Sequence, residues 1–252
     1  MTFRLQAVAA TAALSDEVRE SALTWRVGVE YQPLVDVRTS DTVAHEALAR
    51  FRAADGSPLP PARVFPELRC DPGLLADVEL QLKRLQIERA PGRAVFLNLD
   101  PSAWTAGSTR TRRHLLELLS APAAIEIVVE VVETGDAHAA ARALAMMRAL
   151  REANVSVALD DVGASGAVFS LEALRCANVV KFDRSFLDRP RDPRGRAIAA
   201  GLVAVSRALG ARAVLEGVER PEDLRLAEDL GFDLVQGFLL SDRTVHVEPD
   251  AQ

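Results

Sequence analysis

Residues 125 to 161, IEIVVEVVETGDAHAAARALAMMRALREANVSVALDD, decide how the rest of the chain is read. The run Ile125 to Val132 is β-branched and too short for a helix. Ala139 to Glu152 repeats its apolar residues at helical spacing, and Val155 to Asp161 is β-branched again. A strand, a helical crossover and a second strand form the unit of a parallel sheet. Both strands carry an acid near their ends, Glu130 in the first and the pair Asp160 and Asp161 in the second.

The same alternation extends in both directions. Further strands are expected at Val27 to Val37, Val43 to Phe51, Ala94 to Leu99, Val179 to Asp183, Ala213 to Val218 and Leu234 to Leu240. Helices are expected at Leu74 to Arg89, Thr111 to Leu119, Arg196 to Leu209 and Pro221 to Leu230. Strand ends at Asn98, Glu130 and Asp160 recur about every 30 residues, the length of a strand plus its crossover. Eight strands in 252 residues fit an α/β fold of the TIM-like (β/α)8 barrel type. An open doubly wound sheet would usually carry a Gly-rich phosphate loop after its first strand, and no GxGxxG or GxxxxGK[ST] occurs. Only Arg38 to Thr42 join the first two strands, too few for a parallel crossover, so the first strand is expected to be antiparallel. The domain division expected is a helical lead-in over residues 1–24 and one barrel over 25–252.

Composition narrows the function. Hydrophobic residues make up 49% of the chain and charged residues 26%, with a net charge of −6, which suits a globular domain and gives no electrostatic grip on DNA. Cys70 and Cys176 provide neither a disulfide framework nor a thiolate zinc site, as suits a cytoplasmic protein. No stretch reaches the roughly 18 apolar residues of a membrane span. The apolar run Leu5 to Leu14 is read as helix.

Late in almost every expected strand stands a polar residue that a buried strand would reject: Glu46, Asn98, Glu130, Asp160, Asp161, Lys181, Glu216 and Gln236. Singly, each could be a cap, a turn residue or an ion-pair partner. In a parallel barrel, however, these ends converge on one rim. Five carboxylates there would repel one another unless their protons were retained or cations neutralised them. The all-oxygen donor set suits two divalent cations, Mg2+ or Mn2+, and His45, His114, His138 and His246 lack zinc-type spacing. Adjacent Asp160 and Asp161 fit a two-metal phosphoryl hydrolase. Lys181 stands inside an apolar strand of a chain with only one other lysine, Lys83; its compact ammonium differs chemically from the guanidinium that serves elsewhere. Glu133 and Glu219, three residues beyond site candidates, are expected to support the ligands from behind. A reading with Lys181 as the base for a carbon acid is disfavoured by the adjacent aspartates.

These residues resemble the EAL-domain phosphodiesterases that hydrolyse cyclic di-GMP. The resemblance rests on YQPLVDV from Tyr31, HEALARF from His45, FLNLDP from Phe96, EVVE from Glu130, LDDVGA from Leu159, VVKFDRSFL from Val179, LEGVE from Leu215 and VQGFLL from Val235. It implies metal ligation by Glu46, Asn98, Glu130, Asp160, Asp161 and Glu216, with Gln236 holding the water network. Lys181 and Glu216 would be the catalytic pair, Lys181 orienting or activating the attacking water. Gln32 and Arg50 would contact the dinucleotide, with Asp183 near it. The implied reaction opens one phosphodiester to give linear pGpG, and the implied partners are a second copy, forming a homodimer, and a regulatory protein. Two segments depart from the family pattern. The loop Val162 to Val168 lacks the usual Phe-Gly-(Thr or Ala)-Gly-(Tyr or Phe)-Ser-Ser, and Asp242 and Arg243 replace an Arg-Pro pair. The loop favours an alternative in which a weak or inactive domain serves as a cyclic di-GMP receptor or protein scaffold.

Overall fold

The computed structural model describes residues 26–53, 55–121, 125–132, 137–164, 170–187 and 193–248. The helix expected at Leu5 to Leu14 and the lead-in over 1–24 lie outside them, as does Glu133. The strands are β1 (Arg26–Asp36), β2 (Thr42–Arg52), β3 (Pro58–Leu59), β4 (Ala94–Asn98), β5 (Glu126–Val132), β6 (Ser156–Val162), β7 (Val179–Phe182), β8 (Arg212–Leu215), β9 (Leu234–Val235) and β10 (Val245–Val247). The helices are α1 (Pro61–Leu68), α2 (Pro72–Glu88), α3 (Pro101–Ala106), α4 (Thr109–Ser120), α5 (Ala137–Glu152), α6 (Leu171–Cys176), α7 (Pro193–Ala208) and α8 (Pro221–Leu230).

Strands β2, β4, β5, β6, β7, β8 and β9 run parallel in that order, and β1 closes the ring by pairing antiparallel with both β2 and β9. The expected barrel with a reversed first strand is present. Its reversal follows from the tight β1–β2 connection, where Asp36 Oδ1 accepts hydrogen bonds from the backbone N–H groups of Arg38 and Thr39. Ser40, at φ 61°, completes the turn. Local chemistry also sets the helix ends: Asp71 caps α2 by accepting from Leu74 N ahead of Pro72. Helix α8 begins at Pro221 and ends on Gly231 at φ 83°, as Gly permits in the left-handed region.

Two apolar layers hold the ring. Within the barrel, Leu34, Ala44, Phe96, Val128, Ala158, Val179, Val214 and Leu234, one from each of the eight strands, belong to a single buried cluster. Outside it, helix residues such as Met146, Met147, Leu150, Ala199 and Val203 pack on the opposite faces of the strands. Alternation of side chains along each strand makes the two layers possible.

The expected last strand, Leu234 to Leu240, is shorter than its apolar run suggests. Pairing ends at Val235, and Phe238–Arg243 forms a 3-10 helix. At Gly237 the chain presses so closely on Val218 that a Cβ would lie 2.2 Å from its carbonyl oxygen. The chain then returns as β10, a strand not expected from the sequence, which pairs antiparallel with β1 at Val29, Glu30 and Tyr31. Among the described residues, no helix is long and apolar enough to cross a membrane.

Candidate active site

The inner apolar layer locates the site by periodicity. Two residues after Ala44, Phe96, Val128, Ala158, Val179, Val214 and Leu234 stand Glu46, Asn98, Glu130, Asp160, Lys181, Glu216 and Gln236. On reversed β1 the step runs backward, from Leu34 to Gln32. A period of two keeps each pair on the same face, so the layer above the apolar floor is polar on all eight strands. Gln32 lies directly opposite Glu46 in the β1–β2 register.

Lys181 is the hub. Its Nζ lies 2.6 Å from Glu130 Oε1, 2.8 Å from Glu216 Oε1, 3.1 Å from Asp160 Oδ1 and 3.3 Å from Glu46 Oε2. Only 1% of its side chain is exposed. Glu46 also accepts from Asn98 Nδ2 at 2.8 Å and from Gln236 Nε2 at 2.7 Å.

Asp161 would point away from Asp160 in a regular strand. Instead the β6–β7 register shifts between Leu159 and Val162, and Asp161 adopts φ 57°, a left-handed conformation that Asp tolerates better than most residues. Carboxylate oxygens of Asp160, Asp161 and Glu216 consequently lie within 4.8 Å of one another. Gly163 follows at φ 84°, where a Cβ would lie 2.2 Å from the Phe186 ring.

Burial and mutual repulsion set the titration behaviour. Burial pushes Glu216 up to about 8, against the pull of Lys181. Burial and the Asp160 charge raise Asp161 to about 6. Burial, reinforced by Glu46, takes Glu130 well above the ordinary carboxylate range, and burial also raises Asp160. Burial opposes ionisation of Glu46, yet Lys181 and the Gln236 and Asn98 hydrogen bonds outweigh it and lower this carboxyl to about 2. Lys181 is buried too, but its four carboxylates hold it charged, with its pKa well above the ordinary value. Without cations, this pocket retains protons where positive charge is needed.

The donors suit hard divalent cations. If all are ionised, five carboxylates and one ammonium leave a net charge of −4. Neither Glu130 oxygen makes a hydrogen bond of good geometry, even though Oε1 approaches Lys181, and Gln236 Oε1 is likewise buried without a partner. Oxygen atoms left unsatisfied in a buried anionic pocket fit metal ligation.

Other predicted residues fall farther out. Arg50 sits at the mouth, bonded to Glu30 through Nε at 3.0 Å and Nη2 at 2.8 Å. Asp183 accepts from Ser185 N at 2.9 Å and adds to the negative field on Asp161. Glu219 pairs with Arg184 at 3.0 Å. The loop from Ser165 to Val168 lies outside the described residues. Beside Glu46 and Asn98 opens a cleft of about 620 Å³ bordered by Leu48, Arg50, Phe65, Pro101 and Val132, a volume in the range of small-ligand sites. Sequence reasoning missed Glu30. The same period of two identifies it, because it follows Leu34 and Gln32 along the inward face of β1.

Fold and side chains together define an α/β barrel with a buried cluster of carboxylates around one lysine at its carboxyl rim. Within that class the chain belongs to the EAL-domain family, whose model matches residues 15–243. It is 27% identical over 238 residues to the cyclic di-GMP phosphodiesterase NbdA of Pseudomonas aeruginosa, covering 90% of this chain and 30% of that one. It is 30% identical over 227 residues to the cyclic di-GMP phosphodiesterase RocR of the same organism, covering 84% of this chain and 56% of RocR. The chain thus spans under a third of NbdA and little over half of RocR. The fold matches that of Klebsiella pneumoniae BlrP1, solved as a manganese/cyclic di-GMP complex, with a TM-score of 0.64 at 22% identity over 90% of this chain and 61% of the other.

Proposed function

We propose that this domain hydrolyses cyclic di-GMP to linear pGpG. The observation that carries the reading is the ring of Glu46, Glu130, Asp160 and Glu216 around Lys181, completed by Asp161 through its left-handed backbone. Family membership and the relatives named as cyclic di-GMP phosphodiesterases support it.

Glu46, Asn98, Glu130, Asp160, Asp161 and Glu216 would hold two divalent cations, Mg2+ or Mn2+. Bound there, such ions supply Lewis acidity and acidify water. The protein supplies the remainder. Arg50 and Gln32 at the mouth hold the anionic phosphodiester over the cluster. Lys181, kept protonated by its neighbours, donates hydrogen bonds to the attacking water and does not serve as its base. The water oxygen bonds to phosphorus in line with the departing 3′ oxygen. The P–O3′ bond breaks, and a water proton ends on that oxygen. Asn98 and Gln236 fix the Glu46 carboxylate so that its charge does not drift from the reacting centre.

The test is incubation of the purified chain with cyclic di-GMP and Mn2+ or Mg2+, with pGpG followed by chromatography. Product formation that EDTA abolishes supports the reading. Tight binding without product would establish instead the receptor alternative suggested by the atypical loop Val162 to Val168. We further propose a cytoplasmic homodimer, to be checked by light scattering.

A further inference from the structure

The mouth of the barrel holds a sixth carboxylate that the proposed chemistry leaves without a role. Glu30 lies on the inward face of β1, two residues before Gln32, and only 17% of its side chain is exposed. Its oxygens take Arg50 Nε at 3.0 Å, Arg50 Nη2 at 2.8 Å and Gln32 Nε2 at 2.9 Å. His246, brought across by β10, lies 3.7 Å from Glu30 Oε2. Arg50 and Gln32 are the two residues proposed to seat the phosphodiester, and one carboxylate holds both.

The chain of contacts continues inward. Gln236 Nε2 donates to Gln32 Oε1 at 3.3 Å and to Glu46 Oε2 at 2.7 Å. An ionised carboxylate only accepts hydrogen bonds. Glu30 at one end and Glu46 at the other therefore dictate which way each amide points. Gln32 must turn its NH2 toward Glu30 and its carbonyl toward Gln236. Gln236 must then turn its NH2 toward Gln32 and Glu46, which leaves its Oε1 buried and unpaired.

Arg50 is fixed by the same group. Its five N–H donors include one engaged by Ala49 O at 3.0 Å through Nη1 and two engaged by Glu30. One N–H on each Nη atom remains. A guanidinium held along one edge by a carboxylate loses its freedom to swing and presents those two donors together.

We propose that Glu30 is a positioning residue for substrate binding: it locks Arg50 with two donors facing the mouth and sets the polarity of the Gln32–Gln236 amide chain. The assignment rests on the cyclic di-GMP reading above. Glu30 touches no reacting atom, so its loss weakens binding far more than turnover.

The test measures cyclic di-GMP affinity by calorimetry in EDTA, and KM and kcat in Mn2+, for the unaltered chain, Glu30→Ala, Glu30→Gln, Arg50→Ala and the Glu30→Ala/Arg50→Ala double variant. Glu30→Ala is expected to raise Kd and KM about tenfold, the loss typical of a charge-assisted hydrogen bond, with kcat within about twofold. Glu30→Gln, whose amide oxygen still accepts from Arg50, is expected to recover part of the affinity. In the Arg50→Ala background, Glu30→Ala is expected to add less than about threefold, since coupled residues are not additive. Thermal melts confirm that each variant is folded. If the unaltered chain binds and Glu30→Ala binds equally well or more tightly, the positioning role is overturned while the substrate reading stands. If the unaltered chain does not bind, the substrate reading falls and this inference falls with it.

Discussion

Raising the pH of the cation-free protein from 6.5 to 8 should destabilise it, and the structure sets both the sign and the size. Over this interval the carboxylates of the unfolded chain are already ionised. In the folded chain Glu216, raised to about 8, still carries its proton. The folded state binds more protons, so stability is present at the acid end and is lost as pH rises through the folded pKa. Glu46, lowered to about 2, contributes stability that is lost only in stronger acid and is constant here. Burial lowers His45; the unfolded imidazole still releases part of its proton early in this interval, so His45 opposes the trend, by less than about 0.5 kcal/mol. Glu216 alone, titrating across 1.5 pH units, contributes about 1–2 kcal/mol, or a fall in melting temperature of about 3–6 °C for a domain of this size, and Glu130 and Asp160, also raised by burial, act in the same direction. Calorimetric melts in EDTA at pH 6.5, 7.25 and 8 measure it directly. In saturating Mn2+ the trend should reverse, because cation binding displaces the retained protons and strengthens as pH rises. Glu216→Gln should flatten the EDTA slope. A melting temperature in EDTA that rises with pH, or a Glu216→Gln protein with an unchanged slope, would refute the account of a site that stores protons in place of cations.

Lys181→Ala should lose activity by about 10²- to 10⁴-fold, and Lys181→Arg should not restore it, since a planar guanidinium cannot replace an ammonium enclosed by four carboxylates; steady-state rates decide. Asp160→Asn should raise the Mn2+ concentration for half-maximal rate by at least about tenfold, and unchanged metal dependence would remove Asp160 from the ligand set. Tyr31→Phe deletes the 2.8 Å bond to the Gln86 carbonyl on α2 and should cost about 1–2 kcal/mol in denaturant titrations while leaving KM unaltered. Gly237→Ala places a Cβ against the Val218 backbone; it should displace Gln236 and reduce kcat more than it reduces stability, and a fully active variant would show that this approach is dispensable.

Most of the polar ring was legible because it obeys one local rule. In seven strands a polar residue stands two places after an inward apolar one, and strand periodicity needs no tertiary information. The exceptions are instructive. Adjacent Asp160 and Asp161 should face opposite ways, and only the positive φ of Asp161 brings both into the pocket. Glu219, three residues beyond Glu216, is off the period of two and lies beyond the end of β8, where the path of the chain sets direction, and it meets Arg184 at the rim. Glu30 follows the periodic rule yet draws attention only once register is known, because its charged partners are remote in sequence. Arg50 lies across the β1–β2 ladder, and His246 arrives on a three-residue strand that carries no periodic pattern of its own.

The distribution of lysine shows how far composition can point toward a site. This chain has 30 basic residues and only two are lysines. Both are buried, with 1% of the Lys181 side chain and 2% of the Lys83 side chain exposed. Lys83 pairs with Glu79 at 2.7 Å beneath the cleft beside the cluster, while no arginine is among the buried residues described. Arginine serves where a charge lies at the surface and its fork can bond sideways, as Arg50 does with Glu30. Inside the barrel the requirement differs. Carboxylates from four strands converge on one point from several directions, and a compact ammonium with rotatable donors reaches them all where a flat, wider guanidinium would force the strands apart. Geometry of that kind makes the residue type at 181 stringent, and it explains why a rare residue in the sequence marks the centre of the site.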